Sequence, residues 1–380
     1  MHIEIDKIYQ KELQRQQGTI ELIASENFAS DSVMKLCGSE FTNKYAEGYP
    51  GRRYYNGCEH MDEIEELAIS KLIDIYGCLF ANVQPHSGAN ANLAVFQAFL
   101  EPGSRILGMD LASGGHLSHG APVNISGKNY TTEHYGVDSN GYIDYDEVRN
   151  KALEFRPHMI IAGASAYPRQ IDWKKFRAIA DEVRAILLVD MAHYSGLIAG
   201  GAYDNPVPYA DVVTSTTHKT LRGPRGGIIM WNNPDYCKPI NSAVFPGTQG
   251  GPLMNIIAAK AQSFIEADTK EFYDYAEQVI ANAKAMCEVF NDSDVLKVQT
   301  GGTDSHIILL DLSKCKYSGR QAADLLEENG ITVNKNGIPN DPRSFMETSG
   351  IRIGTAAETT RGHDEVWFTK LAQKIRGLLE

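Results

Sequence analysis

The stretch VVTSTTHKTLRGPRGG, residues 212–227, decides how the chain is read. Val212, Val213 and Thr214 open it as a β-branched run, which suits a strand. Ser215, Thr216 and Thr217 follow, then His218 and Lys219, then a glycine-rich turn with Arg222 and Arg225. A lysine behind an apolar strand, ringed by hydroxyls and glycines, has two readings. In one it sits at a strand end and carries its ammonium out to water along an apolar stem. In the other its amine is kept from water, which is costly for a cation but useful for a nucleophile aimed at a carbonyl. Arg222 reads most simply as an exposed surface arginine.

Working outward, residues 186–190 (ILLVD) and 159–163 (MIIAG) are apolar runs without polar alternation, and 227–231 is another. A helix is predicted between the first two, at 173–184. Upstream, 61–76 carries Ile64, Leu67, Ala68, Leu72 and Ile75 at helical spacing. It is followed by a strand at 78–83, a helix at 88–100 and a strand at 106–109. Uniformly apolar strands separated by helices imply a mostly parallel sheet covered on both faces. In such sheets ligands sit at the carboxyl ends of the strands.

The flanks read differently. Residues 2–17 form a polar amphipathic helix with Ile5, Ile8, Tyr9 and Leu13 on one face, and 18–50 have the mixed polar and aromatic content of an arm lying on another surface. After Pro252 one long helical stretch reaches about residue 290. A strand at 306–312, a helix at 318–329 stopped by Gly330, a strand at 350–353 and a helix from His363 complete a smaller α+β unit. The expected division is an arm at 1–50, a large α/β domain at 51–252, and a linking helix with a small domain at 253–380.

Composition narrows the function classes. An apolar fraction of 43% with 22% charged residues is ordinary for a globular protein. A net charge of −12 disfavours a general nucleic-acid or anionic-membrane surface. Six cysteines without a CxxC pair, and no histidines at zinc spacing, imply free thiols in a reducing compartment and no metal site. The charged N-terminus lacks the apolar core of a signal peptide, and nothing reaches a membrane-spanning length. The expected location is the cytoplasm.

Several sites suggest chemistry. Asp190 ends an apolar strand, with His193 three residues on. It either caps the next turn or points into the crevice as partner to a protonated ring nitrogen. Ser87, Gly88 and Ala89 stand where a strand gives way to a helix. They form an ordinary N-cap or a cradle of free N–H groups for a phosphate. His116 and His119 lie in GGHLSHG, as surface imidazoles or as planar groups free to stack on a ligand. Arg352, in SGIRIGT, forms an internal ion pair or grips a carboxylate in two places. Glu47, Tyr45, Tyr54 and Tyr55 form a polar-aromatic cluster, which is arm packing or something more. A reactive amine, an acid for a ring nitrogen, a planar stacker, a phosphate cradle and a carboxylate clamp together match what pyridoxal phosphate requires.

At this point the sequence closely resembles the serine hydroxymethyltransferases. The resemblance rests on IELIASEN (20–27), TNKYAEGYPGRRYYNGCE (42–59), ANVQPHSGANAN (81–92), GGHLSHG (114–120), SAYPRQIDW (165–173), VDMAH, ADVVTSTTHKTLRGPRGG, NSAVFPGTQGGPL (241–253), TVNKNGIPNDP (332–342) and SGIRIGT. It implies a fold-type-I pyridoxal phosphate enzyme that interconverts serine and glycine with tetrahydrofolate as one-carbon carrier. It also implies a homodimer or a dimer of dimers with shared active sites, residues 1–50 taking part in the dimer contact. On matching positions, Lys219 is the residue that binds the cofactor covalently, Asp190 pairs with its ring nitrogen, and His116 stacks on the ring. Ser87, Gly88, Ala89 and His218 hold the phosphate, joined by Tyr45 and Gly251 of the neighbouring subunit. Ser165 and His193 touch the phenolic oxygen. Ser25 and Arg352 bind the amino-acid carboxylate, with Tyr55 from the neighbour. Glu47, also from the neighbour, is the acid/base group, and Leu111, Leu117 and Asn336 face the folate. Thr216 and Arg225 shape the surroundings of the lysine.

The departures from the family pattern are small. Ala89 stands where relatives carry a small hydroxyl, and Asn90 replaces a frequent glutamine. Tyr194 and Ser195 are bulkier than the usual valine and alanine, and the core is expected to absorb them. Both ends look short for the family, with any consequence expected in the small domain rather than the chemistry. Two rival readings remain at this level: a folate-independent aldolase or a hydroxymethyltransferase for α-substituted serines, and a catalytically dead scaffold. Intact Lys219, Asp190, His193 and Arg352 speak against the scaffold.

Overall fold

The computed structural model describes residues 2–380. Its centre is a seven-stranded sheet. The spatial order is Phe80–Asn82, Gly227–Trp231, Val212–Thr216, Ile186–Asp190, Met159–Ala162, Arg105–Met109 and Thr131–Tyr135. Five of these run parallel to one another from Val212–Thr216 outward, while Gly227–Trp231 is antiparallel to both of its neighbours. The mostly parallel sheet expected from the apolar runs is therefore present.

The reason those runs lack polar alternation is visible in the packing. Leu187, Val189, Val213, Ile228 and Met230 enter a core on one face with Phe176, Tyr194 and Leu197. Their neighbours in sequence, Leu188, Val212 and Ile229, enter a second core with Val95, Phe96 and Ile240. Side chains alternate between two apolar layers, so both must be apolar. The edge strand Thr131–Tyr135 has water on one side, mixes threonine, glutamate and histidine, and was not legible in the sequence. The helix that follows it, Tyr145–Phe155, is N-capped by Asp144.

The stretch after Pro252 differs from expectation. It is two helices, Met254–Ala267 and Lys270–Asn291, separated at Asp268 and Thr269. Thr269 is the N-cap of the second and accepts from the N–H of Phe272. The second helix serves two cores. Phe272, Tyr275, Ala276, Val279 and Ile280 belong to the large one, and Ala283, Met286, Cys287 and Phe290 to a smaller one. The smaller core lies against an antiparallel sheet ordered Lys297–Val298, Ile307–Asp311, Gly350–Gly354 and Asn334–Asn336.

The 18–50 segment also needs correction at its start. Ile20–Glu21 pairs in parallel with Ile331–Thr332, and Leu22 is fully buried in the smaller core. Two paired residues are too few to leave a period in the sequence. The first helix, Ile3–Gly18, buries nothing and leaves Ile3, Ile5, Ile8 and Tyr9 exposed. Tyr194 is absorbed as expected: it is buried, stacks on Tyr203 at 4.6 Å and donates to the carbonyl of Tyr167 at 2.8 Å. All six cysteines are free thiols. No helix among the described residues is long and apolar enough to cross a membrane.

Candidate active site

A cavity of about 1010 Å³ opens at the carboxyl ends of the strands Ile186–Asp190 and Val212–Thr216 and extends to the smaller sheet. Its floor holds Lys219. The turn that carries the lysine is closed by backbone bonds from Thr217 N to Gly226 O (3.1 Å) and from Gly223 N to Thr217 O (2.7 Å). Lys219 is 9% exposed. Burial pushes its ammonium down to about 8; Arg352 and Arg225 push the same way, and Asp190 opposes them. The reading of a strand-end lysine in open water is excluded. Arg222 is also not the exposed surface residue expected. It is half-buried with its guanidinium over Tyr275 (4.3 Å) and Phe272 (5.1 Å). Arg225 is the exposed one, at the rim of the cavity.

Asp190 lies on the strand beside Lys219 and does both things the sequence left open. Its Oδ1 accepts the N–H of Ala192 at 3.1 Å, which caps the turn. Its Oδ2 accepts from Asn92 Nδ2 at 2.8 Å and meets His119 Nε2 at 3.0 Å, within the cavity lining. Burial alone raises this carboxyl. The His119 hydrogen bond, the imidazoles of His119 and His116 nearby and the Asn92 amide outweigh it and hold the group well below the usual range. Asp190 is thus a carboxylate at any ordinary pH. His116, His119 and Asp190 also place their ligand atoms within 4.8 Å of one another. With His119 and Asn92 already on Oδ2, this group is a hydrogen-bond chain.

The turn before the helix Gly88–Phe99 forms another wall. Ser87 caps the helix by accepting from Asn90 N at 3.2 Å. Gly88 is packed so closely on the lysine strand that a Cβ there would lie 2.7 Å from Thr216 Cγ2. Ala89 and His218 also line the cavity. His218 Nδ1 is buried without a partner, and burial, with the charges of Arg225 and Lys219, pushes its imidazole down to about 3.

The far wall comes from the smaller sheet. Arg352 donates through Nη1 to Ser165 O at 2.6 Å and through Nε to Asn334 Oδ1 at 3.0 Å. These bonds aim the guanidinium into the cavity beside Ser25. Burial lowers its charge affinity only to about 10, so it stays a cation. His193 is buried, with Nδ1 3.3 Å from His306 Nε2, and that nitrogen lies 3.1 Å from the carbonyl of Ala24. His116 is held by Ser118 Oγ at 2.7 Å, and burial pushes it down to about 4. Ser165, Leu111, Leu117 and Asn336 line the cavity mouth, Leu111 and Leu117 being exposed.

Four of the expected site residues lie elsewhere. Tyr55 donates to Glu47 Oε2 at 3.4 Å, and the Tyr45 and Tyr55 rings meet edge-on at 5.4 Å. Gly251 lies against Tyr45, so that a Cβ there would be 3.0 Å from the ring. None of the four lines the cavity; Glu47 instead borders a separate shallow groove with Tyr54 and residues 245–250. Sequence reading missed Asn92, His306 and Asn334 as site residues. Asn92 carried a faint signal: it lies one helical turn after Gly88 and so shares its face. His306 and Asn334 become neighbours of the site only through the tertiary fold.

The residues fit pyridoxal phosphate: a buried amine with a depressed ammonium, an adjacent fixed carboxylate, a neutral planar imidazole, a helix N-terminus and an unpartnered imidazole nitrogen beside it. Fold and cavity together define a fold-type-I pyridoxal phosphate enzyme. The serine hydroxymethyltransferase family model matches residues 1–375. A curated serine hydroxymethyltransferase of Lactobacillus acidophilus is 55% identical over 375 residues, which cover 98% of this chain and 91% of that protein. The chain belongs to the serine hydroxymethyltransferase family. It is a pyridoxal phosphate enzyme that interconverts L-serine and glycine, with tetrahydrofolate taking the one-carbon unit as 5,10-methylenetetrahydrofolate.

Proposed function

We propose that Lys219 is the covalent anchor of the cofactor and that a second copy of the chain completes each site. The observation that carries this reading is the buried amine of Lys219 in the cavity it shares with the Asp190 carboxylate and the Arg352 guanidinium. Bound pyridoxal phosphate supplies an electron-withdrawing ring that accepts the electron pair left when a bond at the substrate Cα is broken. Asp190, fixed by His119 and Asn92, holds a proton on the ring nitrogen. His116, kept neutral, offers its flat face to the ring. Gly88 and Ala89 turn helix N–H groups toward the phosphate, with Ser87 and His218 beside them. Arg352 and Ser25 hold the substrate carboxylate, and Arg352 stays charged throughout.

The tautomer of His193 follows from its neighbour. The carbonyl of Ala24 only accepts, so His306 Nε2 carries a hydrogen. Nδ1 of His193 is then the acceptor, and its own proton stands on Nε2. Beside Ser165, that N–H is suited to hold the phenolic oxygen. Burial and Arg225 favour the free amine of Lys219, and Thr216 lines the same cavity. Leu111, Leu117 and Asn336 are positioned at the mouth to meet the folate.

Glu47, Tyr45, Tyr55 and Gly251 sit together on the outside of their own chain. That placement supports a homodimer in which they reach the neighbour's cavity, Glu47 as acid/base group at the hydroxymethyl carbon. The uncovered apolar side of Ile3–Gly18 supports residues 1–50 as part of the contact. We further propose a large domain at 51–252 and two linking helices with a small domain at 253–380, and a cytoplasmic location, in keeping with six free thiols.

The test is a visible spectrum of the purified protein supplied with pyridoxal phosphate. A band from the lysine-bound cofactor is expected, with a second, longer-wavelength band when glycine and tetrahydrofolate are both present. Lys219→Ala should lack the first band while keeping its circular dichroism. A Lys219→Ala variant with the wild-type band and turnover refutes the anchor.

A further inference from the structure

One buried charge takes no part in the chemistry above. Lys260, in the helix Met254–Ala267, is 1% exposed. Its Nζ donates to three backbone carbonyls: Val83 at 2.6 Å, Gly227 at 2.8 Å and Pro85 at 3.1 Å. An ammonium has three donors and no acceptor, so three carbonyls satisfy it fully. Burial pushes it down to about 7, with Glu65 opposing. Keeping an ammonium here is costly unless the cage it builds is needed.

The caged carbonyls belong to the turn that leads into the helix Gly88–Phe99. Residues 83–87 leave the sheet after Phe80–Asn82 and keep one backbone bond to it, from Gly227 N to Pro85 O at 3.0 Å. Each of their first carbonyls is occupied by a side chain. Val83 O and Pro85 O are held by Lys260, and Gln84 O by Gln249 Nε2 at 3.0 Å. The Gln84 side chain is tied in turn to Glu65 Oε1 at 2.8 Å. The third carbonyl of the cage, Gly227, backs directly on the turn, where a Cβ would lie 2.2 Å from Ser87 O and 3.0 Å from Gly88 N. Gly226 leaves room for the lysine itself, since a Cβ there would lie 2.4 Å from Lys260 Cε.

We propose that Lys260 is a positioning residue for the phosphate-binding turn. Its ammonium locks Val83, Pro85 and Gly227 together, so that the N–H groups of Gly88 and Ala89 stand ready for the cofactor phosphate. This rests on the reading of residues 87–89 as the phosphate site. It predicts a defect confined to one end of the cofactor.

The experiment compares pyridoxal phosphate with pyridoxal, which lacks the phosphate, as ligands of the apoenzyme. Both reach Lys219 through the same aldehyde. The wild type should bind the phosphorylated form far more tightly; equal affinities would refute the phosphate site itself. Lys260→Met should weaken pyridoxal phosphate by about 10- to 100-fold, the range expected for loss of charge-assisted hydrogen bonds, and change pyridoxal by less than about twofold. Gly226→Ala keeps the charge but pushes the flexible end of Lys260 out of its cage, and should give the same selective loss if Lys260→Met does not fold. Equal weakening of both ligands, or no weakening in a folded variant of either kind, overturns the proposal while leaving the phosphate site standing.

Discussion

At the scale of single residues, the site is built by setting burial against charge. Lys219 has an ammonium lowered to about 8 from the ordinary lysine value of 10.5. Between those two values the unfolded chain binds more protons than the folded one, so apoenzyme stability rises with pH across that window. Below pH 8 the full cost of the buried charge is present. Lys219→Met should therefore stabilise the apoenzyme at pH 7 by on the order of 1–3 kcal/mol, with the gain fading toward pH 10.5, as read by thermal denaturation at several pH values. A gain that does not fade would mean that packing, not charge, is responsible. The same depressed ammonium predicts that covalent capture of the cofactor speeds up as pH rises through about 8 and then levels.

Arg352 makes a different prediction. Nε and Nη1 are committed to Asn334 and Ser165, so a flat fork remains for the substrate. Arg352→Lys keeps the charge and loses the fork. KM for serine should rise by about 10-fold or more while cofactor retention is unchanged. An unaltered KM would show that the carboxylate is held elsewhere.

At the scale of elements, legibility follows from how much of an element's environment is local. Strands with two buried faces, such as Ile186–Asp190, are apolar at every position and can be read without any partner. The Lys219 turn was legible because hydroxyls, glycines and a lysine there make little sense for stability alone. Thr131–Tyr135 was not legible, because an edge strand with one wet face has no strong period. The break at Thr269 was missed because the apolar spacing continues across it; only the capping threonine marks it. Thr269→Ala should lower stability by about 1 kcal/mol, and so lower the melting temperature by about 2 °C, with kcat unchanged. A large loss of kcat would mean that the helix start at Lys270 communicates with the cavity. The pairing of Ile20–Glu21 with Ile331–Thr332, and the meeting of His193 with His306, join residues far apart in sequence. No local pattern announces such contacts.

At the scale of the whole molecule, the expected site residues fall into two separate groups on one chain. Lys219, Asp190, His116 and Arg352 surround the cavity, while Glu47, Tyr45, Tyr55 and Gly251 gather on the outer surface. A two-fold dimer that hands this cluster to its partner accounts for both facts and for the bare apolar side of the first helix. In that arrangement a chain with a dead lysine still gives its neighbour a working Glu47. Lys219→Ala and Glu47→Gln should each be inactive alone. After the two proteins are mixed, unfolded and refolded together, half of the dimers contain one of each, and each of these has one intact site of two. The mixture should regain about a quarter of wild-type serine-to-glycine turnover. No recovery, from a mixture shown to contain mixed dimers, would contradict a shared site.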